Sequence, residues 1–308
     1  MLKAVLTANG LKSNMAKKIL LLGKNGQVGW ELQRALSPIG QLLALGRRDF
    51  GGDLNDLKAL KQRISDYKPD VIVNASAYTA VDKAESDEKL AFYVNAESVA
   101  LLATLANQHN SLLVHYSTDY VFDGSGSAPW SETDNPNPLN IYGKSKLAGE
   151  QVVQEIAHQY LIFRTSWVYG VHGNNFIKTM LRLGRDRDSL SVVSDQVGAP
   201  TGAELIADIT AQTVNVFKKE QTGIYHLSAS GEASWYDFAK LIFAEAKQYI
   251  PEQLKINHLA AITTQQYPTP ALRPLNSRLS TQKLATHFDL YLPDWQVGVK
   301  RAIAELLL

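Results

Sequence analysis

The stretch Ile19-Leu20-Leu21-Leu22-Gly23-Lys24-Asn25-Gly26-Gln27-Val28-Gly29-Trp30-Glu31-Leu32 decides the fold. Its first four residues are a continuous apolar run of strand length, as expected for a strand covered on both faces. Three glycines at equal spacing follow at once. Residues 28–36 then carry helical periodicity, with Pro38 beyond their end. A glycine turn joining a buried strand to a helix opens a βαβ unit.

The alternation continues outward. Residues 41–45, 71–73, 112–116 and 160–163 are further apolar strand segments, and residues 56–67, 90–109 and 141–156 are amphipathic helices between them. Continuous apolar strands alternating with helices predict an α/β chain, a Rossmann-type doubly wound parallel sheet. Its ligands should sit outside the carboxyl ends of the strands, where residues from Gly23, Gly46, Ala75, Ser117 and Thr165 onward converge. The second half is less regular. Thr201-Gly202-Ala203-Glu204 reads as a capping box opening a helix to about residue 218. A short strand at 224–227, helices at 234–248 and 294–308, and an ordered loop at 267–279 complete it. The expected organisation is an extension without a folded role at 1–15 and a dinucleotide lobe at 16–170, to which helix 202–218 returns. A smaller α/β substrate lobe is expected mainly from 171–201 and 219–308.

Composition narrows the function. Lys and Arg total 31 and Asp and Glu total 30, a net charge of +1 over 308 residues, which leaves no electrostatic case for a nucleic-acid or membrane-surface partner. No apolar run approaches the roughly 20 residues of a membrane span. Zero cysteine excludes a thiol nucleophile, a disulfide or a cysteine-bound zinc, and it fits a cytoplasmic location. The seven histidines show no metal-ligand spacing and read as surface or packing residues.

Three constellations carry chemistry. Gly23, Gly26 and Gly29 provide a tight turn, close backbone approach to a pyrophosphate and a helix N-terminus facing its charge. The second strand exits at Gly46-Arg47-Arg48, where an acidic residue would hold a ribose 2′-hydroxyl. Two guanidinium groups suit a 2′-phosphate instead, so NADPH is the expected cofactor, with NADH as the alternative; Asp53 is placed for the adenine side. Tyr142 and Lys146 are four apart on one helix face, where an ammonium near a phenol would lower its pKa and make it a usable general acid. Thr118, at the end of the fourth strand, would hydrogen-bond a substrate carbonyl.

The glycine turn, Thr118, Tyr142 and Lys146 resemble the extended short-chain dehydrogenase/reductase superfamily. Several finer strings narrow this to a resemblance to the dTDP-4-dehydrorhamnose reductase family. They are Ala80-Val81-Asp82-Lys83-Ala84-Glu85, Ser117-Thr118-Asp119-Tyr120-Val121-Phe122, Arg164-Thr165-Ser166-Trp167-Val168-Tyr169, Asp195-Gln196-Val197-Gly198-Ala199-Pro200-Thr201 and Arg273-Pro274-Leu275-Asn276-Ser277. The resemblance implies reduction of the C4 ketone of a dTDP-4-keto sugar nucleotide by hydride from the nicotinamide C4, with Tyr142 as proton donor, Lys146 on the nicotinamide ribose and Thr118 on the same ketone oxygen. By the same likeness Gly26, Gln27 and Val28 lie at the pyrophosphate and Asp53 and Leu54 flank the adenine. Ala77, Tyr78, Thr79 and Tyr116 line the cofactor, and Asp119, Trp167, Arg273, Asn276 and Arg278 serve the sugar nucleotide. It further implies a homodimer, with a magnesium ion at its interface held by Glu31, Glu204 and Glu305. Related dehydratases place an Asp-Glu pair after the threonine, whereas here Asp119-Tyr120 follows Thr118.

Overall fold

The computed structural model describes residues 16–308, so the expectation for residues 1–15 lies outside the described residues. One parallel sheet of six strands holds β1 (Lys17–Leu22), β2 (Gly40–Leu45), β3 (Val71–Asn74), β4 (Leu112–Thr118), β5 (Tyr160–Thr165) and β6 (Gly223–His226). Their spatial order is β6-β5-β4-β3-β1-β2. The order reverses between β1 and β3, which sets the crevice for a ligand beside the glycine turn. The doubly wound reading is therefore the observed one.

Both faces of the sheet are covered, which is why the inner strands are apolar without alternation. On one face Ile19, Leu21, Val73, Val114, Leu161 and Phe163 pack with helices Gln27–Leu36 and Ala203–Val216. On the other, Leu20, Leu22, Ile72, Leu113 and Ile162 pack with Leu60 and Ile64 of helix Leu57–Tyr67, and with Val99, Leu102 and Leu105. A separate core joins helices Phe176–Asp186, Trp235–Tyr249 and Trp295–Leu307. After residue 200 the chain returns to the sheet core twice, through Ala203–Val216 and through β6 followed by Leu284, Phe288 and Leu292.

The structure corrects one sequence expectation and adds to two others. The capping box at Thr201 does not form: Gly202 is the N-cap and has no side-chain bond, while the Thr201 hydroxyl donates to the Ala199 carbonyl at 3.0 Å. Thr201–Gly202 instead pairs with Val168–Tyr169, and Ser189–Val193 pairs in parallel with His258–Ile262; these pairings were not read from the sequence. One helix, Glu88–Gln108, is long and apolar enough by length and composition to cross a membrane, although Glu88, Lys89 and Glu97 interrupt its apolar run. Half of that span is buried, and Val99, Leu102 and Leu105 bury their side chains against the sheet.

Candidate active site

The glycine turn is built by backbone conformation. Gly23 has φ +89°, and a Cβ there would lie 2.7 Å from the Ala75 carbonyl. At Gly29 a Cβ would lie 2.0 Å from the Gly23 carbonyl oxygen, so the helix packs directly onto the turn. Both positions exclude any side chain. The turn is pinned to β2 by the Gly23 and Lys24 N–H groups, which donate to the Leu45 carbonyl at 2.9 and 3.1 Å. No side chain caps the Gln27–Leu36 helix at Gly26, so its first-turn donors face the crevice for an anion. The Gln27 side chain turns away to accept from Asn175 at 2.9 Å, and Val28 packs into the core beneath.

At the exit of β2, Arg47 is highly exposed and pairs with Asp53 at 3.2 Å. Arg48 is exposed as well, and Leu54 is buried beside the turn. Asp49 also sits here, accepting from the Gly46 N–H at 2.7 Å and from Lys24 at 2.6 Å. These bonds hold its carboxyl below the usual range. The sequence reading missed Asp49 because it lies three residues beyond Gly46. The β3 exit carries Ala77, Tyr78 and Thr79, and buried Asn95 holds it: Asn95 accepts from the Tyr78 N–H at 2.9 Å and donates to the Tyr78 carbonyl at 3.1 Å. Asn95 occupies a wide turn, Tyr93–Glu97, within the long helix, and also donates to the Ser145 hydroxyl at 2.9 Å.

Helix Ile141–Ile156 carries the central pair. Its start is fixed by the Asn140 side chain, which accepts from the Gly143 N–H at 2.8 Å, and by Glu85, which accepts from the Ile141 N–H at 2.9 Å. Burial pushes the Tyr142 phenol up to about 12, while the nearby Thr118 hydroxyl pulls the other way. The expectation that Lys146 lowers the phenol is corrected here. The Lys146 nitrogen points to β4, donating to the Tyr116 carbonyl at 2.5 Å and lying 3.4 Å from His115 Nε2. Burial lowers Lys146 to about 8, although Glu150 raises it. The Tyr116 side chain is in the sheet core, its hydroxyl bonded to Thr210 at 2.7 Å, so only its backbone reaches the site.

The β4 and β5 exits hold polar atoms with no partner. Ser117 Oγ, Asp119 Oδ2 and Thr165 Oγ1 are buried and unpaired. Burial raises Asp119 to about 6, although Thr118 donates to its other oxygen at 3.0 Å. Trp167 has φ +47° and stacks on Trp235 with ring centroids 3.7 Å apart. A non-glycine residue in that region stores strain, and such strain gathers at functional sites. Arg273 pairs with Asp82 at 2.9 Å across to the β3 side. Asn276 is fully buried: its Nδ2 donates to the Ser125 and Ala128 carbonyls at 3.2 and 2.9 Å and its Oδ1 accepts from Arg278, so it latches a loop and has no free polar atom for a ligand.

The metal expectation finds no support in the single chain. Glu31, Glu204 and Glu305 line one cavity of about 490 Å³. Glu204 pairs with Arg301 at 2.5 Å and Glu31 with Arg34 at 3.5 Å, so guanidinium groups already meet two of the three carboxylates. Among the described residues no three His, Cys, Asp or Glu side chains are grouped to hold a metal ion.

Residues 17–308 match the family described as the RmlD substrate binding domain. The chain is 55% identical over 293 residues to the dTDP-4-dehydrorhamnose reductase of Escherichia coli K12, covering 94% of this chain and 97% of that protein. It is 54% identical over 292 residues to the reductase of the same name from Salmonella typhimurium LT2, with the same two coverages, 94% and 97%. A crystal structure of dTDP-4-dehydrorhamnose reductase from Bacillus anthracis in complex with NADP superposes with a TM-score of 0.87 at 36% identity, covering 94% of this chain and all of that one, 100%. A Thermus thermophilus UDP-glucose 4-epimerase in complex with NAD shares the fold at 19% identity and a TM-score of 0.75, covering 94% of this chain and 98% of that one.

Proposed function

The chain belongs to the RmlD substrate binding domain family, and from that premise we propose that it is a dTDP-4-dehydrorhamnose reductase. It reduces the C4 ketone of dTDP-4-dehydro-β-L-rhamnose to the alcohol of dTDP-β-L-rhamnose. The observation that carries this reading is buried Tyr142 and Thr118 beside the unpartnered Ser117 Oγ, Asp119 Oδ2 and Thr165 Oγ1 at the strand exits, in a chain with the glycine turn intact.

The residues present fit a nicotinamide dinucleotide. Gly23 and Gly29 let the turn close onto Ala75 and onto its own helix, and the uncapped first turn of Gln27–Leu36 offers N–H donors to the charge of a pyrophosphate. Ala77, Tyr78 and Thr79 would line its middle, and Asp53 and Leu54 its adenine end. The cofactor, when bound, supplies the hydride. The protein supplies placement and a proton. Tyr142 keeps its proton well above neutral pH and gives it to the oxygen that was the C4 ketone. Thr118 orients that oxygen. Lys146 holds the ribose hydroxyls. Arg47 and Arg48 favour NADPH by offering forked donors to a 2′-phosphate, which would take Arg47 from Asp53. Asp119, Trp167 and Arg273 meet the sugar nucleotide.

The division of labour follows the two cores: the sheet core carries the cofactor and the second core carries the sugar nucleotide. A homodimer is part of the reading, supported by exposed Trp30 and Val297 on the wall of the 490 Å³ cavity. The test is NADPH consumption by the purified protein with the dTDP-4-keto sugar and with its UDP analogue. Consumption that requires the dTDP sugar supports the proposal, and consumption indifferent to it rejects it.

A further inference from the structure

Lys146 is nearly fully buried, and no carboxylate meets its nitrogen. The titratable groups around it are His115 on β4, with Tyr142 one turn before and Glu150 one turn after on its own helix. Glu150 is held by Arg164 of β5 at 2.6 Å. On β3, buried Asn74 is tied at both ends of its amide. Its Oδ1 accepts from the Ser76 N–H at 3.1 Å, which turns its Nδ2 toward His115 Nδ1 at 3.2 Å. An amide NH₂ can only donate, so Nδ1 is the acceptor nitrogen of a neutral imidazole. The remaining proton is then on Nε2, which faces Lys146 Nζ at 3.4 Å.

We propose that Asn74 and His115 form a buried positioning relay for Lys146, in which Asn74 fixes the imidazole tautomer and His115 presents an N–H to the lysine nitrogen. An ammonium has no lone pair for that N–H, whereas an uncharged amine accepts from it while still donating to the Tyr116 carbonyl. The relay therefore shifts Lys146 toward the uncharged form, in the same sense as its burial. It also keeps His115 neutral: burial first and the adjacent lysine second hold the imidazole well below its ordinary value. The role of Lys146 in turnover rests on the reductase reading, but the relay itself does not.

The test follows Lys146 by NMR in the free protein labelled with ¹³Cε-lysine, its signal assigned by loss in Lys146→Met. Asn74→Asp replaces the donor by an acceptor, so the imidazole carries its proton on Nδ1, donates it in a hydrogen bond to the carboxylate and turns the Nε2 lone pair to the lysine, whose titration midpoint should rise by about one unit or more above wild type. In the His115→Leu background the same Asn74→Asp change should add no such rise, since the new carboxylate then has no imidazole through which to act. Should His115→Leu fail to fold, His115→Met carries the same comparison. An unchanged midpoint in Asn74→Asp overturns the relay, and so does an equal rise with and without the imidazole. A shift seen without any turnover of the keto sugar leaves the relay standing and rejects only the reductase reading.

Discussion

Two buried cations, Lys146 of helix Ile141–Ile156 and Arg164 of β5, meet that helix one turn apart and contrast in how they are held. Arg164 is 2% exposed and forks onto Glu150, itself 0% exposed, with three bonds of 2.6 to 3.2 Å. Lys146 is as deeply buried but faces a carbonyl and an imidazole. A buried charge with a matched partner holds strand to helix, while one without a partner has a perturbed pKa and is available for chemistry. The same helix thus fixes its own position with one end of the contrast and works with the other.

The largest expected effect lies on the working side. Tyr142→Phe removes the proton donor, and turnover should fall by about 10²- to 10⁴-fold, while cofactor affinity and melting temperature stay near wild type. Retained turnover would remove Tyr142 from the chemistry. Arg164→Met leaves Glu150 buried alone and should cost about 3–5 kcal/mol in denaturant unfolding, with recovery when Glu150→Leu is added. A loss below about 1 kcal/mol would erase the contrast between the two cations.

Lys146→Met should do the opposite. It should abolish most turnover yet raise stability by on the order of 1 kcal/mol at pH 7, because a buried unpaired charge is removed. The sign is specific. Lys146 titrates near 8 in the folded protein against 10.5 unfolded, so between those values the unfolded chain binds more protons and wild-type stability rises with pH. The advantage of Lys146→Met should therefore shrink between pH 8 and 10.5; a constant difference would refute it. The smallest effect concerns exposed cations. Arg47→Ala with Arg48→Ala should change stability by less than about 1 kcal/mol, since the Arg47 pair with Asp53 is solvent-screened, while raising the KM for NADPH more than for NADH. Equal changes for both cofactors would take these arginines from the 2′-phosphate.

The sheet was legible because each inner strand carries a run of three or more apolar residues, and the turn because Gly23 and Gly29 allow no alternative residue. Tyr142, Lys146 and Thr118 were legible by spacing and position. Their electrostatics were not: the i, i+4 rule places Tyr142 and Lys146 on one face but says nothing of β4, which claims the ammonium. His115 looked like a packing residue. Its signal is the polar interruption in Leu112-Leu113-Val114-His115, and only the register of β4 against β3 brings it to Asn74. Asn276 and Tyr116 show the reverse error, since sequence likeness reports a position near a ligand without reporting which atoms are already committed. The ion pairs of the glutamates were only half legible: Arg34 is three residues from Glu31 on one helix, whereas Arg301 reaches Glu204 from a helix distant in sequence.

The central claim is that this crevice delivers hydride to C4 of a dTDP-4-keto sugar while Tyr142 protonates the oxygen. Its most direct test is NMR of the product formed with NADPH deuterated at the transferring position. The account predicts deuterium at C4 of the dTDP-rhamnose product with wild type and almost none with Tyr142→Phe. Label at another sugar carbon, or a product formed without label, would contradict it.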